Sequence, residues 1–245
     1  DPVKFKQLVN ESLVRHVHAI NILTAAGMKF WDYGNCFLLQ SSRAGADIMK
    51  NKFAFKYPSY VQDIMGDIFS LGFGPFRWVC TSRNERDLIT TDKIAESVLC
   101  SLRADETEQR VTAQLDDNIY WIRNAHENKM VVGTAARILY ANAEARIKIA
   151  LRINEAIAKG EISGPVVLSR DHHDVSGTDS PFRETSNIED GSKFTADMAV
   201  HNFVGDAFRG ASWVALHNGG GVGFGEVVNG GVGLVLGGSK KTGAN

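Results

Sequence analysis

The sequence predicts an α/β fold whose mixed or largely parallel sheet is flanked by helices, and three observations carry that expectation. Short apolar, β-branched runs such as Val166-Val167-Leu168-Ser169 and Trp213-Val214-Ala215-Leu216 follow Gly or Pro and read as buried strands. Longer stretches between such runs repeat apolar residues at three- and four-residue spacing, which is the helical period. Both quoted runs empty into polar chain, one into Asp171-His172-His173-Asp174 and the other into His217-Asn218-Gly219-Gly220-Gly221. Ligands of α/β sheets gather outside the carboxyl ends of strands, so these two ends are where chemistry is sought.

The composition sets limits on the kind of protein. The 245 residues are 44% hydrophobic and 22% charged, which suits a globular chain and argues against disorder. A formal net charge of −1 gives no basis for a nucleic-acid or anionic-membrane surface. No apolar run approaches the ~20 residues of a membrane span. Cys36, Cys80 and Cys100 are odd in number and lack a CxxC pair, which fits a reducing cytoplasm better than a disulfide framework. The chain opens Asp1-Pro2-Val3 without Met or a signal peptide and is expected to be a piece of a longer protein.

In order, residues 3–26 form a helix on the spacing of Val9, Leu13, Val17 and Ile20, with Gly27 as its stop. Phe30-Trp31-Asp32-Tyr33-Gly34-Asn35 is either a plain turn over a core or a tyrosine face and an amide offered to a ligand. In Leu71-Gly72-Phe73-Gly74-Pro75-Phe76-Arg77-Trp78, the two glycines allow special backbone geometry, and a strand begins near Trp78. Arg77 can pack its stem with the head in water, or hold a carboxylate with two hydrogen bonds. Residues 83–114 read as a solvated helix and loop without chemistry, and Asp116 to Asn128 as a helix. Strand 137–140, a helix from Ala143 to Lys159 with Ile147, Ala150 and Leu151 on one side, and strand 166–169 make a parallel crossover unit. Thr195 to Phe208 is a helix with Val200, Phe203, Val204, Ala207 and Phe208 on a buried face, and strands follow at 213–216 and 232–236.

Several motifs bear on the chemistry. The glycine-rich stretch 219–225 suits a wall against a flat ligand or a close strand contact, but it contains no G-x-G-x-x-G, and Gly238-Ser239-Lys240 lacks the P-loop pattern. The Asp171–Asp174 block invites a metal at His172 and His173, yet adjacent residues of an extended chain point opposite ways. Acid–base work by Asp171 or Asp174 fits better, so no metal is assigned. Ser180-Pro181-Phe182-Arg183-Glu184-Thr185 brings a second arginine to the same stretch of sequence, and Arg183 either neutralises an aspartate or meets an anionic substrate.

Taken together, Trp31-Asp32-Tyr33-Gly34-Asn35, Gly74-Pro75-Phe76-Arg77-Trp78, Pro165 through Asp174, Ser180 through Thr185 and Leu216 through Gly223 resemble the urocanase family, in family order across nearly the whole chain. The resemblance implies a urocanase-like fold, with residues 1–65 belonging to the inserted NAD-binding domain and 66–245 to the core domain. It implies a cytoplasmic, homodimeric lyase of histidine degradation that hydrates urocanate to imidazolone propionate, using tightly bound NAD⁺ as an electrophile. The segment alone is expected to be inactive. Carried over by motif, Tyr33, Gly34, Asn35, Gly220 and Gly221 correspond to cofactor contacts, Arg77 and Arg183 to substrate-carboxylate contacts, and Asp171, His172 and Asp174 to the proton-transfer block. Bacterial members carry a cysteine after an Arg-Ile pair, where this chain has Leu139 after Arg137-Ile138. The competing readings are an inert folding or dimerisation fragment, and a metal-dependent hydrolase centred on His172 and His173.

Overall fold

The computed structural model describes residues 1–32, 36–130, 134–169, 197–217 and 229–240. Among them the chain forms two compact units. One comprises Asp1–Asp67, and the other 68–169, 197–216 and 229–240.

The first unit opens with helix α1 (Pro2–Ala25). Asp1 caps it, its carboxylate accepting the Val3 and Lys4 N–H groups, and Pro2 sits where no N–H is needed. The chain leaves through Gly27 at φ +100°, which glycine adopts without strain. Helix α2 (Cys36–Arg43) and the antiparallel pair β1 (Met49–Asn51) and β2 (Ala54–Phe55) follow. Val17, Leu38, Ala46 and Ile48 make a small core, flanked by Phe30, Phe37 and Tyr57. A short π-helix (Tyr60–Ile64) leads to α3 (Gly66–Ser70).

The second unit is built on β3 (Gly74–Cys80), β4 (Ala136–Ala141), β5 (Val166–Ser169), β6 (Trp213–His217) and β7 (Asn229–Leu236). The spatial order is β4-β3-β5-β7-β6. The α/β expectation holds, but the pairs β3–β4, β3–β5 and β5–β7 are all antiparallel. Strands β4 and β5 do run the same way, as their crossover spacing implies, because both are antiparallel to β3. They are not neighbours: β3 lies between them, so the helix joining them crosses over a third strand. The parallel expectation failed because spacing reports strand direction and not strand adjacency.

Phe76, Trp78 and Cys80 alternate onto one face of β3, opposite Leu139 and Leu168 of its neighbours. That face is covered by α4 (Glu85–Asp105), α5 (Gln109–Asn124) and α6 (Ala143–Ala158), through Leu88, Val98, Leu115, Ile119, Ile149 and Ile153. Trp78 is wholly buried, and its indole N–H donates to Thr91 Oγ1 at 2.9 Å. Burying a side chain of that size removes enough apolar surface for about 4–6 kcal/mol of transfer free energy.

Several local expectations are corrected here. Strand β3 begins at Gly74 rather than near Trp78. Helix α4 is not simply solvated, since Asp87, Leu88, Thr91, Asp92, Ala95, Val98 and Leu99 form a buried stripe. Helix α6 turns Ala145, Ile149, Ile153 and Ala156 inward and leaves Ile147 and Leu151 exposed. Two apolar stripes compete on that helix, and the small alanines allow closer approach of the helix backbone to its neighbours. Helix α7 (Asp197–Phe208) packs on β7, but Val200, Val204 and Phe208 remain exposed, so its periodicity does not mark a buried face here.

Candidate active site

The other face of the sheet carries Arg77. Directly paired residues of an antiparallel sheet share a face. The registers Ile138–Arg77, Arg77–Ser169 and Ser169–Gly233 therefore set four residues in one row across β4, β3, β5 and β7. Arg77, Ile138 and Ser169 in that row are half-buried, unlike the closed helix-covered side. The local reason is the period of two: Phe76 and Trp78 turn to the core, which sends Arg77 the other way.

Ser169 is the last residue of β5, and Arg170 and Asp171 follow it in the sequence. Asp171, His172, Asp174 and Arg183 lie outside the described residues, as do Tyr33, Gly34, Asn35, Gly220 and Gly221. His173, of the metal alternative, lies outside them too. Among the described residues no group of three His, Cys, Asp or Glu could hold a metal, and no helix is long and apolar enough to cross a membrane.

The flanks of Tyr33–Asn35 are nevertheless well anchored within the first unit. Asp32 accepts the Tyr60 N–H at 2.6 Å and donates its own N–H to Pro58 O at 3.0 Å. Its carboxylate accepts the Leu38 N–H at 3.1 Å, within the first turn of α2. One aspartate thus ties the chain before this stretch to the helix after it. Beside it lies a cleft of about 540 Å³ whose walls include His16, Ile20, Phe30, Trp31 and Phe37. Aromatic walls of this kind suit a flat ring.

Behind the sheet, on the helix side, is a polar cluster that the spacing of residues 83–114 did not announce. Arg137 is 2% exposed, and its guanidinium donates to both carboxylate oxygens of Asp92, at 2.9 and 2.8 Å. It donates also to Met130 O at 2.7 Å. Burial pushes the Asp92 carboxyl up, against the pull of the arginine. Asp87 accepts the Ser82 and Ser163 hydroxyls, each at 2.6 Å, and the Ser163 N–H, tying the turn after β3 to the turn before β5. Burial acts to raise its pKa, but the hydrogen bonds from Ser163 and Ser82 outweigh that and hold it below the usual carboxylate value. The available signal was Asp87, Thr91, Ala95 and Val98 at three- and four-residue spacing, a half-polar stripe within a charge-rich helix.

Leu139 is buried and paired with Phe76 on the core face, opposite to the face that carries Arg77. The position at which bacterial urocanases hold a cysteine therefore faces the helices in this chain. Burial pushes the Cys80 thiol up to about 11, which leaves it a protonated core residue.

Comparison with known proteins agrees along the whole chain. The family description "Urocanase C-terminal domain" matches residues 67–245, and "Urocanase Rossmann-like domain" matches residues 1–64. The chain is 65% identical over 244 residues to a urocanate hydratase of Mus musculus and 64% identical to one of Homo sapiens. It is 62% identical to a probable urocanate hydratase of Dictyostelium discoideum. Each alignment covers 98% of this chain but only 36% of the relative, so the chain spans about a third of the length of these relatives. With both domain descriptions matched in order, the chain belongs to the urocanase family.

Proposed function

We propose that this chain supplies the substrate-handling part of a urocanate hydratase, a hydro-lyase of histidine degradation. The observation that carries the reading is the position of Arg77. It is held by an antiparallel register on the side of the sheet away from α4, α5 and α6, opposite Ser169, and the sequence runs from Ser169 through Arg170 into Asp171-His172-His173-Asp174. A fixed guanidinium at that strand end suits the carboxylate of urocanate. Arg183 is its proposed second holder.

Asp171 or Asp174 is the proposed proton-transfer group, with His172 in the same block. Adding water across a conjugated system requires a proton to be delivered to one carbon as oxygen bonds to another, and a carboxyl group close to the substrate can deliver it.

NAD⁺ is the proposed cofactor. Tyr33, Gly34, Asn35, Gly220 and Gly221 are the residues assigned to hold it, residues 1–65 being taken as part of its binding domain and 66–245 as the core. The Asp32 anchoring and the aromatic cleft beside that stretch fit a flat nicotinamide or adenine ring. When bound, NAD⁺ would supply an electrophilic ring for the imidazole. Work in the cytoplasm is proposed from the cysteine pattern, and a homodimer from the family resemblance alone.

The test is direct. Purified full-length protein is expected to carry about one NAD⁺ per chain and to abolish the ultraviolet absorbance of urocanate. Protein that leaves urocanate unchanged, or turns it over equally well after NAD⁺ is stripped, would overturn the proposal.

A further inference from the structure

We propose that Ser169 and Trp213 complete the substrate face begun by Arg77, Ser169 donating its hydroxyl hydrogen to the substrate carboxylate and Trp213 forming a wall for the imidazole ring. The inference rests on the reading that Arg77 binds the carboxylate of urocanate. Its own support is geometric. Arg77, Ser169 and Gly233 stand in one row on three adjacent strands, and neighbouring strands are about 4.8 Å apart. Arg77 and Gly233 are thus about 10 Å apart at the backbone. Allowing for the reach of an arginine, that spacing fits a flat molecule with a carboxylate at one end and a five-membered ring at the other.

Gly233 marks the aromatic end. A Cβ built on it would run into Cζ2, Cε2 and Cη2 of Trp213, so the indole occupies the space where a side chain would stand. Because that Cβ would point to the face shared with Ser169, the indole lies on the Arg77 side of the sheet. A glycine inside a strand weakens it, and the close approach of the ring accounts for this one. Trp213 is 45% exposed, which leaves ring surface open to a ligand. Its position is fixed by its neighbour: the Ser212 N–H donates to Gly233 O at 2.8 Å, and Ser212 Oγ accepts the Val235 N–H at 2.9 Å.

Ser169 marks the middle of the row. A carboxylate has about four acceptor positions, and a two-pronged arginine takes two of them. A neighbouring hydroxyl can fill a third. It adds no charge, so the site stays matched to a monoanion.

The experiment uses the full-length enzyme and two partial ligands as competitive inhibitors: acrylate, which has the carboxylate without the ring, and imidazole, which has the ring without the carboxylate. Trp213→Leu is expected to weaken imidazole and raise the KM for urocanate by about three- to tenfold, leaving acrylate unchanged. Trp213→Phe should recover most of that loss. Ser169→Ala should weaken acrylate and urocanate by about tenfold or more and spare imidazole. Equal losses of both inhibitors in either variant would show a merely structural role and overturn the inference. No change in either variant, while Arg77→Met weakens acrylate, would overturn it too and leave the proposed function standing. If Arg77→Met also leaves acrylate and urocanate unchanged, the placement of the carboxylate falls, and this inference falls with it.

Discussion

Arg77 on β3 and Ser169 on β5 are registered partners, on the face of the sheet opposite Trp78 and Leu168. The relationship follows from two simple patterns. Alternation sends Phe76 and Trp78 into the core, and the antiparallel register then brings the last residue of β5 beside the arginine. A shift of one residue in β3 would turn Arg77 under the helices, where a charge without a partner is costly, and the same shift in β5 would take Ser169 away from it. The buried clusters on the helix side matter to function because they hold this register.

Arg137 and Asp92 tie β4 to α4 with a two-pronged, buried ion pair. Removing one partner leaves the other charged and buried. Asp92→Ala is therefore expected to lower stability by about 3–5 kcal/mol in urea unfolding, whereas the double variant Asp92→Leu with Arg137→Met should lose much less. Equal losses in the single and double variants would contradict the pairing.

Asp87 joins the turn after β3 to the turn before β5 through Ser82 and Ser163. Its pKa in the folded chain is depressed, so its contribution is fully present above the unfolded carboxylate value. It is lost as pH falls through the folded value. Asp87→Asn is expected to cost about 1.5–3 kcal/mol near neutral pH. The gap from wild type should narrow as pH falls below about 4. A gap that stays constant from near-neutral pH to strongly acid conditions would refute this.

Cys80 is 1% exposed, with a thiol pushed up to about 11 by burial. At pH near 8 it should resist an aromatic disulfide reagent in the native chain and react only on unfolding, while the half-buried Cys100 reacts in the folded state. Labelled peptides identified by mass would check the order. Fast native labelling of Cys80 would reverse the account of that strand.

Strand and helix positions were largely legible, because periods of 2 and 3.6 survive in sequences such as Val166–Ser169 and Pro2–Ala25. Strand adjacency was not. The hydrogen-bonding partners of β5 are β3, some ninety residues earlier, and β7, some sixty-five residues later, and nothing local to any of these strands specifies that choice. Inward and outward faces were misread in α6 because Ile147 and Ile149 are equally apolar, and only packing decides between them. The Arg137–Asp92 pair was hidden for the same reason: each residue alone reads as an ordinary surface charge. For the site, motif resemblance named Arg77 before any geometry did, while the rank and file of Ser169 and Gly233 became visible only through the register.

The central claim is that the Arg77 face of the sheet receives the carboxylate of urocanate. Steady-state kinetics of Arg77→Met in the full-length enzyme, followed by loss of urocanate absorbance, test it most directly. The account predicts a loss of about 1.5–3 kcal/mol in binding, seen as a KM raised by about ten- to a hundredfold, with kcat and melting temperature little changed. A folded Arg77→Met enzyme with the wild-type KM would contradict it.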